Sequence, residues 1–135
     1  MAFFRDVERL DGVDVSFYKR AQIAAADLSR RIDRPLFTDL ERLTAFADNL
    51  VPHVLRRHGV LRYDGGLAHT IDQRQLLEPG GRAEVEIRAA GVECVERLAR
   101  STGARPMDLD ETLWTIGGSP EMKATPRHRA RTVFY

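Results

Sequence analysis

RAEVEIRAAGVECVERLARS, residues 82–101, is the longest stretch of this chain with an unbroken helical period. Val85, Ala89, Val92, Val95 and Ala99 recur at intervals of three and four, and Ile87, Gly91, Cys94 and Leu98 form a second stripe beside them. Two stripes on one helix predict burial on two sides, which makes this helix the centre of a helical domain. Arg88 falls on the first stripe. A buried guanidinium must be paired, with Glu84 one turn earlier or with an acid brought in from elsewhere.

Working outward from this helix, the same period and its stop signals predict five more. Ser16 can cap a helix running to about Ile32, with Ala21, Ala25, Leu28 and Ile32 on its apolar face, closed by Asp33-Arg34-Pro35. Thr38 and Glu41 have the spacing of a capping box for a second helix bearing Leu40, Leu43 and Ala47. Asp48 or Asn49 can cap a third, which takes Pro52 in its first turn and ends at Gly59. Asp64 opens a short helix carrying Leu67 and Ile71, and Glu78-Pro79-Gly80-Gly81 is the break before residue 82. Beyond the central helix, Asp108 with Glu111 can cap a last helix bearing Leu109, Leu113, Trp114 and Ile116, which stops at Gly117-Gly118. The tail through Pro120 and Pro126 reads as irregular, and strand signals are confined to Val13–Val15 and Arg131–Phe134. The expected architecture is all-α, in one domain spanning residues 1–135.

At 135 residues, 43% hydrophobic and 30% charged, the chain can bury a single core without metals or disulfides. Its 21 basic and 20 acidic residues nearly cancel, so no overall field favours nucleic acid or a membrane surface, and any anion recognition must be local. One cysteine, Cys94, in a helical pattern fits a buried thiol in a reducing compartment. The first residues reach Arg5-Asp6 before any signal-like apolar run, and no segment has the apolar length of a membrane span. The expectation is a cytoplasmic protein.

No metal-ligand spacing, phosphate-binding glycine loop or nucleophile elbow appears, so neither metal nor cofactor is expected. The four scattered histidines, His53, His58, His69 and His128, read as solvated or capping residues. The informative groups are charges in unusual places. Asp48 sits at a helix mouth, where N–H groups and the macrodipole favour its ionised form and should lower its pKa; the plain alternative is a simple N-cap. Lys19 stands in the first turn of a helix, against the dipole, where it serves either an anionic ligand or only the surface. Asp110 and Glu111 place two acceptors in the first turn of the last helix. Phe46 and Trp114 read first as core residues and second as platforms for a base.

Taken together, Phe17-Tyr18-Lys19-Arg20-Ala21-Gln22-Ile23, Leu43-Thr44-Ala45-Phe46-Ala47-Asp48 and Glu84-Val85-Glu86-Ile87-Arg88-Ala89 resemble successive blocks of the queuosine salvage protein family. Leu113-Trp114, Pro126-Arg127-His128-Arg129 and Thr132-Val133-Phe134-Tyr135 resemble its C-terminal end. The resemblance implies an all-helical fold related to helix-hairpin-helix DNA glycosylases. It also implies hydrolysis of queuosine 5'-monophosphate to queuine and ribose 5-phosphate. By motif matching, Asp48 corresponds to the family's catalytic aspartate and Phe46 to the residue that stacks on the base. Asp110, with its neighbours Glu111 and Thr115, corresponds to the base-recognition end, and Lys19 becomes the candidate for the substrate phosphate, helped by Arg20 or Arg129. Many members read Asp-Tyr-x-Leu-Trp-Asp where this chain has Asp110-Glu111-Thr112-Leu113-Trp114-Thr115. The first acid is kept; an aromatic and a second acid are replaced. Likewise Asn49-Leu50 and His53 stand where many members carry Tyr-Arg and, after the proline, Gln.

The resemblance is to the C-terminal half of proteins about twice as long, whose N-terminal half supplies part of the pocket, including a histidine that contacts the base. A half-fold should expose apolar surface, expected on the two-striped helix at residues 82–101. Three readings follow: a glycosidase whose pocket closes by self-association or with a separate N-terminal chain; a module that binds a queuosine nucleotide without cleaving it; and a helix-hairpin-helix nucleic-acid binder, which the near-zero net charge opposes.

Overall fold

The computed structural model describes residues 2–33 and 35–135; Met1 and Arg34, the middle of the expected breaker, lie outside the described residues. Six α-helices are found among the described residues, α1 Lys19–Arg31, α2 Leu50–Arg57, α3 Gly65–Asp72, α4 Arg82–Thr102, α5 Pro106–Gly117 and α6 Pro120–Ala124. They are preceded by a β-hairpin, β1 Val7–Leu10 paired antiparallel with β2 Val13–Ser16 in the register Val7↔Ser16 to Leu10↔Val13.

The hairpin corrects the all-α expectation. Asp11 and Gly12 both take positive φ (51° and 80°), the two-residue turn whose twist matches that of paired strands. Ser16 therefore ends a strand instead of capping a helix. Its place is taken by Tyr18, held in the left-handed region at φ 47° with no side-chain cap. Asp6 organises this start. Its carbonyl accepts from the N–H groups of Phe17 (2.8 Å) and Tyr18 (3.2 Å), and its Oδ2 accepts from that of Lys19 (3.4 Å).

The helix expected from Thr38 to Ala47 is absent apart from a 3-10 turn at Leu40–Arg42. Side chains from other elements claim its backbone instead. Gln22 on α1 accepts from Thr44 N–H at 2.8 Å, and Asp110 on α5 accepts from Phe46 N–H at 2.9 Å, so residues 44–48 carry no regular secondary structure. Two caps also differ from expectation. Asp108 pairs with Arg105 (2.7 and 2.9 Å) while Pro106 starts α5, and Ser119 opens the unexpected α6 by accepting from Met122 N–H. Asp64 caps α3 through Leu67 N–H as its position suggested. Residues 131–134 form no strand; the tail instead meets the α3–α4 connection through a single parallel bridge, Leu77 to Ala130.

The core forms where α2, α4 and α5 pack on one another. Val51, Leu55 and Val95 bury against Ala45, with Leu109, Leu113 and Cys94 at the edge. The two stripes of α4 are covered on different sides. Val85 meets Phe17 and Ala47, and Ile87 meets Ile71 and Leu77. Helices approach closely at Gly91, where a Cβ would stand 2.8 Å from Pro52 Cγ, and at Gly117, where it would stand 3.0 Å from Leu50 Cβ. With both stripes covered, the exposed apolar surface expected on α4 is reduced to Leu98 and lies instead beside α1. No described helix is long and apolar enough to cross a membrane.

Candidate functional site

Asp48 ends this irregular segment and opens α2. Its Oδ1 accepts from the N–H groups of Leu50 and Val51, both at 2.9 Å, so the carboxylate is a cap in geometry although Asn49 is the formal boundary residue. It is almost wholly buried. The expectation that the helix mouth lowers its pKa is corrected: loss of water raises it, and the two N–H bonds and the nearby charges of Lys19 and Arg88 only partly offset that rise.

Asp110 faces the same space from the first turns of α5. One of its oxygens is used by Phe46 N–H. Burial, reinforced by repulsion from Asp48, pushes its carboxyl up to about 7. The two acids are therefore unequal. Asp48 gathers two N–H groups and keeps its charge more readily, whereas Asp110, with one N–H group and a negative neighbour, is the one that holds a proton near neutrality.

These acids line a cavity of about 280 Å³ together with Lys19, Ile23, Asp27, Arg30, Phe46, Glu111 and Trp114. Its volume is near the lower end for small-molecule sites. Lys19 is pulled below the usual lysine range by burial, a shift that the charges of Asp48 and Asp110 oppose. Phe46, buried against Ala26 and Met107, forms an aromatic wall. Trp114 is about half exposed, which corrects its reading as a core residue and leaves its indole on the cavity wall. Arg30 and Glu111 pair across the rim at 2.6 Å.

Of the residues singled out from the sequence, Lys19, Phe46, Asp48, Asp110, Glu111 and Trp114 thus line one cavity, whereas Arg20 and Arg129 are not on its wall. Thr115 is exposed one turn beyond Glu111, donates its hydroxyl to the Glu111 carbonyl, and is not on the cavity wall either. Ile23, Asp27 and Arg30 were not foreseen. Their spacing from Lys19, 4, 8 and 11 residues, is a helical face that could have been read from the sequence.

Behind the cavity, Arg88 is buried and held from several directions. Nη2 donates to Asp6 at 2.5 Å, Nε donates to the Ala47 carbonyl at 3.1 Å, Glu84 lies 3.6 Å from Nη1, and the guanidinium stacks on Phe17 at 4.0 Å. The pairing with Glu84 was expected; the closer partner comes from the segment before the hairpin. Asp6 thereby joins the chain that presents Lys19 to the chain that presents Asp48. Two histidines are also buried, contrary to their reading as solvated or capping groups, because the C-terminal segment folds over α2. His53 Nε2 meets the Met122 carbonyl at 2.9 Å and the Thr125 hydroxyl at 3.0 Å, and His128 is enclosed beside Tyr135.

The family model described as queuosine salvage protein matches residues 1–135. A protein of Sphaerobacter thermophilus named queuosine 5'-phosphate N-glycosylase/hydrolase is 43% identical over 98% of this chain and 43% of its own length. Proteins of the same name from Bos taurus and Dictyostelium discoideum are each 34% identical over 98% of this chain and 44% of their own length. The chain therefore spans less than half the length of these curated relatives. With the family match over residues 1–135 and the identity of these relatives, the chain belongs to the queuosine salvage protein family.

Proposed function

We propose that this chain carries the bond-breaking side of an N-glycosidase site that releases queuine from queuosine 5'-monophosphate. The observation that carries the reading is the pair of unequal carboxylates, Asp48 and Asp110, in one cavity walled by Phe46 and Trp114. The names of the relatives supply the substrate.

Cleavage of the glycosidic bond sends its electron pair to the base nitrogen and builds positive charge at the anomeric carbon. Asp48, ionised and held by two N–H groups, supplies the anion that stabilises that charge. A water then bonds to the anomeric carbon, and the proton it gives up goes to a carboxylate. The leaving base is a 7-deazaguanine, with carbon where guanine has N7, so a proton must reach another edge of it. Asp110 holds a proton near neutral pH and takes that role, with Glu111 beside it at the base-recognition end. Phe46 offers a face for stacking, and Lys19 meets the phosphate side of the substrate. No step calls on a metal or a cofactor.

The mainly helical architecture is compatible with a helix-hairpin-helix glycosylase relationship for the fold. A second reading, a nucleotide-binding module or one half of an enzyme that needs a partner chain, is favoured by the fraction of its relatives that this chain spans. Mass detection of free queuine released from queuosine 5'-monophosphate, with Asp48→Asn in parallel, separates them. Release that disappears in the variant supports the glycosidase. No release from the folded chain overturns a self-sufficient enzyme and leaves the second reading.

A further inference from the structure

We infer that the far end of the cavity, where Asp27, Arg30 and Glu111 meet beside Trp114, is a subsite for an alkylammonium group, and that Glu111 and Asp27 select bases carrying one on a side chain at the 7-position. This rests on the reading of the substrate as a queuosine nucleotide, whose base carries a secondary amine there, protonated at neutral pH. The cavity follows one face of α1, from Lys19 through Ile23 to Asp27 and Arg30. Lys19 and Asp27 stand about 12 Å apart along the helix axis. Lys19 lies at the end that holds Asp48 and Asp110, and it is the cation that meets a phosphate.

At the other end the balance of charge is reversed. Arg30 lies 2.6 Å from Glu111 and 3.8 Å from Asp27, so two carboxylates share one guanidinium and this end keeps a net negative charge. Neither carboxylate has another polar partner among the described residues, whereas Asp48 and Asp110 are engaged by backbone N–H groups. The three side chains are 41–58% exposed, and exposed ion pairs of this kind exchange partners at little cost. Trp114, one turn beyond Glu111 on α5, adds an indole to the same wall, and aromatic faces attract ammonium ions. An ammonium group entering here takes the place of the guanidinium on Glu111 while Arg30 stays with Asp27, and no charge is left stranded. Many family members have tyrosine in place of Glu111, so this acid is a feature of the present chain. A queuosine nucleotide carries its phosphate and its side-chain ammonium at opposite ends, in the same order as Lys19 and the Asp27–Glu111 pair.

The test is equilibrium binding to the whole chain, read by the fluorescence of Trp114, its one tryptophan. The probes are 7-aminomethyl-7-deazaguanine and 7-methyl-7-deazaguanine, which differ in the ammonium group alone. The parent should bind the first about tenfold more tightly at low salt. In Glu111→Gln that preference should fall to about threefold or less, and adding Asp27→Asn should abolish it. In Arg30→Met it should rise, because the competing cation is gone and both carboxylates are free for the ligand. Residues that only braced the cavity would not shift the preference in opposite directions in the two single variants. Circular dichroism of all variants should match the parent, since the changed side chains already meet water. Equal binding of the two bases by the parent, a preference unmoved by Glu111→Gln with Asp27→Asn, or one lowered by Arg30→Met overturns the subsite and leaves the base site standing. Binding of neither base overturns both. The expected preference in a chain that releases no queuine supports the subsite while the glycosidase reading fails.

Discussion

Arg88 donates to Asp6 at 2.5 Å, and both side chains are sealed from solvent, one in the middle of α4 and the other just before the hairpin. The same guanidinium holds the Ala47 carbonyl next to Asp48, while Asp6 holds the backbone that leads into Lys19. Two segments, Phe17–Lys19 and Ala47–Asp48, are in this way referred to one buried ion pair. Breaking it leaves an uncompensated charge, so Arg88→Met should cost about 3–5 kcal/mol of stability in urea unfolding. The double variant Arg88→Met, Asp6→Leu should recover part of that loss, because Asp6 is then no longer stranded and only Glu84 lacks its cation. A double variant that loses the sum of the two single effects would show that the pair is not the unit holding these segments.

Asp48 and Asp110 are coupled through their charges. Asp48→Asn removes the repulsion, so the Asp110 carboxyl should titrate below 7 in the variant, as read by carboxyl NMR. Its stability at neutral pH should fall little or rise, since an amide oxygen still accepts from Leu50 and Val51 and no charge needs to be buried. In the parent chain, Asp110 loses its proton as pH rises through about 7. Any queuine release that depends on that proton should decline above that pH. Release that stays flat from pH 6 to 9 would remove Asp110 from the proton-donating role.

His128 sets an acid limit. Burial, with Arg88 nearby, drives its pKa down to about 3, whereas the unfolded chain takes up the proton near 6.5. The unfolded state therefore binds the extra proton between those values. Stability from this group is complete above about pH 6.5 and is lost as pH falls, by about 1.4 kcal/mol per pH unit. Asp110 works in the opposite sense over about pH 4–7, because its folded pKa is raised. The difference between parent and His128→Leu isolates the histidine. The variant should lose less stability than the parent on going from pH 6.5 to 4.5, and identical losses would contradict a neutral buried imidazole.

Gly91 allows α4 to cross α2 against Pro52. A methyl group there would stand 2.8 Å from Pro52 Cγ, a ring that cannot swing away from the first turn of α2. Gly91→Ala should cost about 1–3 kcal/mol in spite of the better helix propensity of alanine. Because Pro52 lies only four residues beyond Asp48, the same change should alter the environment of the Asp48 carboxyl in an NMR titration. A neutral or stabilising effect would mean that the helices can separate at little cost.

Local chemistry in the sequence by itself determined most of the helices and the centre of the fold. The two stripes of residues 82–101 led to two-sided burial, Asp64 led to a cap, and Gly59 and Gly117-Gly118 led to helix ends, because period, caps and glycines act within a few residues. The turn at Asp11-Gly12 is equally local, since it rests on two adjacent residues that tolerate positive φ. Family blocks brought Phe46, Asp48, Asp110, Glu111 and Lys19 forward, and they line one cavity. Tertiary structure alone decided the rest. Residues 43–48 have a helical apolar pattern, but Gln22 and Asp110 capture the N–H groups of Thr44 and Phe46 from 22 and 64 residues away and keep them out of a helix. The rise in the Asp48 pKa likewise depends on how much water the surrounding elements exclude, a quantity that no neighbour in the sequence encodes.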